Sequence, residues 1–200
     1  ERIAAGEALL WGSEIVWVIT IDWDSGALRL GRGCFDTVPV PHVAGERLWR
    51  LEDLGSDERE YSLGETVRAK VLTRTPGAQL NVDAAPTDSL VLAQRATRPY
   101  PPARLRLNGE AYPVALYGPL TATWAHRDRV LQADRALDTE AASTGPEPGT
   151  TYIARWYVDG AIARTQADLS GTSDSFTPPP GSGGKTVRVE IEALREGLTS

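Results

Sequence analysis

The sequence predicts an all-β protein, and three observations carry that prediction. Apolar residues recur with period two in several short runs, no stretch of about a dozen residues keeps a clean 3.6-residue apolar period, and 14 prolines with 19 glycines break the chain into short pieces. With 41% apolar residues the composition suits a folded, turn-rich chain. Its 200 residues are long for one small β domain. They are comfortable for two of about a hundred each, a size that buries its own core.

The elements follow in order. "IVWVITI", residues 15 to 21, is β-branched and aromatic on both faces, as a central strand requires. "DWDSG" then signals a hairpin turn with Gly26 in the left-handed position, and Leu28 and Leu30 alternate with Arg29 on the return strand. Leu48 alternating with Arg47 and Trp49 predicts a half-buried strand, as do Val67, Ala69 and Val71 alternating with Arg68 and Lys70. "SLVLAQR" completes five or six strands, enough for a small barrel or sandwich over residues 1–95. Three prolines in "RATRPYPPARL" predict a joint, and the second domain is expected over residues 96–200.

In that second half, Leu105 and Leu107 alternate with arginines, and Leu120, Ala122 and Trp124 share a face. Tyr152, Ala154, Trp156 and Val158 share another. The cleanest alternation sets Val187, Val189, Ile191 and Ala193 against Arg188, Glu190 and Glu192. Residues 128–149 read mainly as a long loop, and "TPPPGSGG" reads as a connector.

The bulk numbers restrict function. A balance of 21 basic against 27 acidic residues, with no basic stripe, argues against nucleic acid as a partner. No apolar run approaches the roughly 20 residues that cross a bilayer as a helix, so no membrane insertion is expected. One cysteine forms no intrachain disulfide or Cys-based metal cluster, and Cys34 is expected to be part of a turn or the core. A sequence that opens on "ERIAAGEALL" and contains no methionine is expected to be a fragment or a processed piece.

The stretch "LGRGCFDTVPVPHVAG", residues 30 to 45, gathers the residue types of an active site. A catalytic reading pairs His42 with Asp36 as acid and base and takes Cys34 or Thr37 as nucleophile, but neither an orienting third group nor an oxyanion donor is nominated nearby. Turn chemistry accounts for every residue: Gly31 and Gly33 permit a bulge or tight turn, Asp36 and Thr37 cap backbone donors, Pro39 and Pro41 hold the return extended, and His42 bonds across the loop. The loop is therefore expected to be scaffold, with no catalytic residue in the chain.

His126 and Asp128 share a strand face, but the other histidine lies far away in sequence and the ligand count for a metal fails. "DWDSG" lacks the later ligands of a calcium loop. No metal or other cofactor is expected. Trp11, Trp23 and Trp49, near turns or on polar strand faces, are candidate interface or glycan contacts, and Arg127 and Arg129 are candidate surface or interface arginines. The acidic "LEDLGSDERE" is expected to be a solvated loop.

Two resemblances extend this reading. The proline-rich start, the strand ending in Trp124, the strand around Tyr152 and the late "VRVEIEALREGLTS" together resemble a fibronectin type III domain. That resemblance implies a seven-strand sandwich with Trp124 in the core. Two departures are that Val187 stands where many members carry a tyrosine, and that the last strand is expected to begin only near Ser200.

Over most of the chain, "RGCFDTVPVPHVAGERLW", "YSLGETV", "RPYPPARLRLNGEAYP", "LTATWAHRDR" and "GPEPGTTY", in this order, are similar to the C-terminal part of tailed-bacteriophage and gene-transfer-agent tail-tip proteins, the host-specificity or baseplate-hub kind. This second resemblance implies a virion structural protein at the tail tip whose partners are other tail-tip or baseplate subunits, with a trimeric parent and, in some roles, a host receptor or glycan. Two other functions fit the residues: a glycan- or receptor-binding adhesion module, and an accessory domain of a polysaccharide- or cell-wall-degrading enzyme.

Overall fold

A computed structural model describes residues 2–51, 59–133 and 135–200 and shows an all-β chain. Its two compact units are Glu1–Leu54 with Pro99–Ser200, and Gly55–Arg98. The unit changes at Pro99, inside the proline-rich joint, but the first fifty-odd residues belong with the second half of the chain. The division expected at residues 95 and 96 is thus replaced by another.

The first sheet is antiparallel and has the order β3-β2-β1-β4, from β1 (Ala8–Trp11), β2 (Glu14–Asp22), β3 (Ala27–Gly31) and β4 (Leu48–Arg50). Strand β1 was not foreseen from sequence. It is joined to β2 through Gly12 and Ser13, with Trp11 opposite Glu14 and Gly12 at φ 58°. Alternation puts Leu9, Val16 and Val18 on one face as a small core, with Trp11, Leu30 and Leu48 packed beside them. A bulge at Ile19 shifts the register between Val18 and Thr20, which returns Ile21 to that same face.

The unit Gly55–Arg98 contains β5 (Thr66–Ala69), β6 (Arg74–Thr75), β7 (Ala78–Gln79) and β8 (Asp88–Val91). Among the described residues, β5 pairs only with β8, and β6 only with β7. These strands do not join the first sheet in a single barrel or sandwich, as the sequence led us to expect. The physical reason is visible in the burial: among the described residues of this unit only Ala85 is buried, while Leu63, Val71, Leu90 and Val91 stand exposed. Two-stranded ribbons without an apolar layer beneath them have no core to close around. Most of the acidic stretch, residues 52–58, lies outside the described residues.

The remaining seven strands form two facing sheets: β9 (Ala103–Leu107), β10 (Leu120–Ala125), β11 (Thr151–Val158), β12 (Ala161–Leu169), β13 (Ser173–Phe176), β14 (Val187–Arg195) and β15 (Leu198–Thr199). One sheet has the order β13-β10-β9, the other β12-β11-β14-β15. The alternations read from sequence supply the core: Leu120, Ala122 and Trp124 from one sheet meet Tyr152, Trp156, Val189 and Ala193 from the other. Strand β12 was missed. It is mostly exposed and so lacks an apolar period, but Asp159–Gly160, at φ 47° and 81°, is a two-residue hairpin turn whose Asp-Gly signal was available.

Trp156 anchors this core. It is fully buried, lies 5.0 Å from the Phe176 ring, and donates its indole N–H to Asp174 Oδ2 at 2.7 Å. Replacing Trp156 with Ala is expected to cost about 3–5 kcal/mol. Urea denaturation followed by Trp fluorescence measures this, and a loss below about 1 kcal/mol would contradict Trp156 as the anchor.

Candidate interaction surfaces and the loop at residues 30–45

Residues 30–45 fold around a side chain from outside them. Glu14, at the start of β2, is completely buried, and its carboxylate accepts five hydrogen bonds. Arg32 clamps it with Nε on Oε1 and Nη2 on Oε2, both at 2.7 Å. The Gly33 N–H (2.7 Å), the Val40 N–H (3.0 Å) and His42 Nε2 (2.9 Å) complete the set. Arg32 Nη2 also donates to the Val40 carbonyl at 2.8 Å, so both arms of the loop are tied to one point.

The glycine requirement is concrete here. Gly33 sits at φ 58°, and a Cβ there would lie 2.6 Å from Pro39 Cδ. Thr37 caps as expected: its hydroxyl accepts the Ile15 N–H and donates to the Cys34 carbonyl. Cys34 is fully buried, and burial, with Asp138 nearby, pushes its thiol up to about 12. At neutral pH such a thiol is protonated and unreactive.

His42 does bond across the loop, but to Glu14 and Glu46, not in the His42–Asp36 pairing of the catalytic reading. Its Nδ1 lies 2.8 Å from Glu46 Oε2, and its ring stacks on Trp11 at 3.8 Å with an 11° interplanar angle. Both ring nitrogens thus face carboxylate oxygens, which only accept, so the ring that satisfies both is the imidazolium. Burial pulls the His42 pKa down, but Glu14 and Glu46 outweigh it and hold it above the usual 6.5. For Glu14, burial pushes the pKa up, but Arg32, the Val40 and Gly33 amides and His42 together bring it down to about 2.

The remaining candidates separate by exposure. Trp23 and Trp49 are 57% and 56% exposed, each with an arginine over its ring, Arg2 at 5.4 Å and Arg47 at 6.0 Å. Trp11 is half-buried under His42, with its indole nitrogen enclosed. Arg127 is 5% exposed and donates to the Asp138 carbonyl, so it is an internal strut and not a surface arginine. Arg129 is ion-paired with the buried Glu147 at 3.2 Å.

His126 and Asp128 do not converge. His126 Nδ1 meets Tyr152 Oη at 2.6 Å, whereas Asp128 Oδ1 accepts the Val130 and Leu131 amides. Among the described residues, no group of three or more His, Cys, Asp or Glu side chains is placed to hold a metal ion. In the first hairpin, Asp22 turns inward on its own loop and accepts from the Asp24 and Ser25 amides and the Ser25 hydroxyl.

Sequence reading overlooked the loop between β9 and β10. There Tyr112, Val114 and Tyr117 are 85%, 103% and 89% exposed. The available signal was "AYPVALYGP", an apolar run with no polar alternation, flanked by Gly109 and Gly118 at positive φ. No family model matches this chain, and no curated protein matches it.

The Glu14 cluster makes stability depend on pH in a specific way. A carboxylate with a lowered pKa contributes above its unfolded value of 4.5, and that contribution is lost as pH falls toward about 2. A histidine with a raised pKa contributes fully below 6.5, and that contribution is lost as pH rises through its folded value. The cluster is therefore strongest between pH 4.5 and 6.5. His42→Gln is expected to lower the urea midpoint most in that window and much less at about pH 9. A pH-independent difference would refute the charged bridge. Glu14→Ala, which leaves the Gly33 and Val40 amides without their acceptor, is expected to cost at least about 1–3 kcal/mol, read from the urea midpoint.

Proposed function

We propose that this chain is an assembly module of a phage or phage-like tail tip, working through protein–protein contacts and not through bond making. The carrying observation is the unit Gly55–Arg98, which leaves Leu63, Val71, Val82, Leu90 and Val91 exposed and buries only Ala85 among its described residues. Exposed apolar side chains on a segment without a core are the composition of surfaces that another protein covers. The exposed Tyr112, Val114 and Tyr117 supply aromatic and aliphatic anchors of the kind enriched at interfaces.

The tail-tip assignment rests on the five ordered segments that are similar to host-specificity and baseplate-hub proteins. The three-stranded and four-stranded sheets of the second half support the fibronectin type III likeness. On this reading the partners are neighbouring tail-tip subunits in a trimeric parent, and the location is the virion.

A second reading keeps a specific observation of its own. Trp23 and Trp49 are more than half exposed, each with an arginine over one part of its ring, and exposed indoles of this kind are stacking platforms that a sugar ring uses. In that case the chain is an adhesion module for a host glycan or receptor.

The two separate in one set of variants made in the full-length parent. Leu90→Ser with Val91→Ser removes apolar surface that is already exposed, so the melting temperature is expected to change little. Incorporation into purified particles, scored by electron microscopy and immunoblot, is expected to fall at least about tenfold, as loss of an interface anchor implies. Normal incorporation of this variant, with host binding lost instead in Trp23→Ala/Trp49→Ala, would move the assignment to adhesion.

A further inference from the structure

The connection between β10 and β11, residues 126–150, is closed at its neck by a bond between two ring side chains. His126 is the first residue after β10, and Tyr152 is the second residue of β11. His126 Nδ1 lies 2.6 Å from Tyr152 Oη. The His126 backbone joins the same closure: its N–H donates to Ser143 Oγ at 2.8 Å, and its carbonyl accepts the Thr144 N–H at 3.1 Å. Further along, Thr139 donates to the Arg32 carbonyl at 2.7 Å and accepts the Arg104 N–H at 2.8 Å, so this connection bonds the loop at residues 30–45 to β9.

The chemistry of the pair fixes its protonation. Tyr152 is 1% exposed, and burial pushes its phenol up to about 12, so the hydroxyl keeps a proton that needs an acceptor. His126 Nδ1 supplies one, and it offers a lone pair only in the neutral ring with its proton on Nε2. Protonating that ring sets two donors against each other across the bond. Among the described residues, the charged groups around it are otherwise engaged. Arg127 donates to the Asp138 carbonyl, Asp128 accepts the Val130 and Leu131 amides, Glu147 pairs with Arg129 and Arg195, and Glu140 pairs with Arg106. Burial pulls the His126 pKa below its usual 6.5, and no carboxylate holds it up.

His42 is wired in the opposite sense, with a carboxylate at each ring nitrogen. A histidine held neutral contributes fully above 6.5, and that contribution is lost as pH falls toward its folded value. His42 gains over the same range. Falling pH therefore tightens the loop at residues 30–45 and strains the neck of the connection bonded to it.

We propose that His126 and Tyr152 form an acid-released latch, which frees the connection between β10 and β11 at its sandwich end while the loop at residues 30–45 stays closed. What the latch controls is the coupling of the first sheet to the sandwich, within one compact unit. It acts whatever surface the module docks against.

Amide exchange in the 200-residue chain at about pH 7.5 and about pH 5, corrected for the intrinsic pH dependence of exchange, tests this. The Thr144 amide is expected to open about fivefold more at the lower pH, whereas the Gly33 and Val40 amides, bonded to Glu14, are not. His126→Gln keeps an acceptor for the Tyr152 hydroxyl but does not titrate, and it is expected to abolish the response at Thr144. An equal response in His126→Gln overturns the latch. Tyr152→Phe keeps the ring in the core and is expected to leave the Thr144 amide as open at pH 7.5 as it is in the unsubstituted protein near pH 5. Unchanged protection there overturns the bond as the closure. NMR titration of the two imidazoles needs no variant: His126 is expected to titrate below 6.5 and His42 above it. A His126 midpoint at or above 6.5 likewise overturns the proposal.

Discussion

A single buried carboxylate organises the N-terminal part of this protein. Glu14 has no exposed surface, and an ion in that position is tolerated only if its lone pairs are met. Five donors meet them, two from one guanidinium, two from backbone amides and one from an imidazole. Because these donors come from both arms of the loop after β3, satisfying Glu14 is the same event as folding residues 32–42. His42 then extends the order outward by bridging to Glu46 and stacking on Trp11. A segment with the composition of a catalytic loop is held as a strut.

The same loop ties the first sheet to the sandwich within one compact unit. Thr139 donates its amide to the Arg32 carbonyl and accepts the Arg104 amide, while Arg127 reaches the Asp138 carbonyl and Glu140 pairs with Arg106. Gly31 permits this approach, since a Cβ there would lie 3.1 Å from Asp138 Cβ. The long connection between β10 and β11, without strands among its described residues, is thus a strap whose backbone is bonded on both sides. Burying Arg127 against it accounts for why an arginine at a strand end never reaches the surface.

Burial is unevenly distributed along the chain, and that distribution is the basis of the functional reading. The sandwich and the first sheet each enclose an apolar cluster, whereas among residues 59–98 only Ala85 is buried and Leu63, Val71, Leu80, Val82, Leu90 and Val91 are exposed. Forty-odd residues of two-stranded ribbon cannot supply the apolar area that pays for ordering a backbone. Apolar side chains left in water on such a unit, and on the Tyr112–Tyr117 loop, are the surface to which the proposed assembly role assigns a covering protein.

Period-two alternation was sufficient for the all-β class and for the inward faces of β10, β11 and β14, because which side of a strand is apolar is a local property. Turn chemistry alone placed the "DWDSG" hairpin and the Thr37 cap. What alternation cannot express is the partner of a strand. Strand β12 is exposed on both faces and β1 is short, so neither carries a period, and β5 and β8 alternate acceptably yet pair only with each other. Residue types raised His42 as a candidate, but only the tertiary structure chose Glu14 and Glu46 as its partners. Glu14 lies 28 residues from His42, and nothing in the intervening sequence encodes a distance in space. The sequence by itself determined the strand faces and turns; three-dimensional packing decided which charges meet, which arginine is buried and which apolar side chains stay exposed.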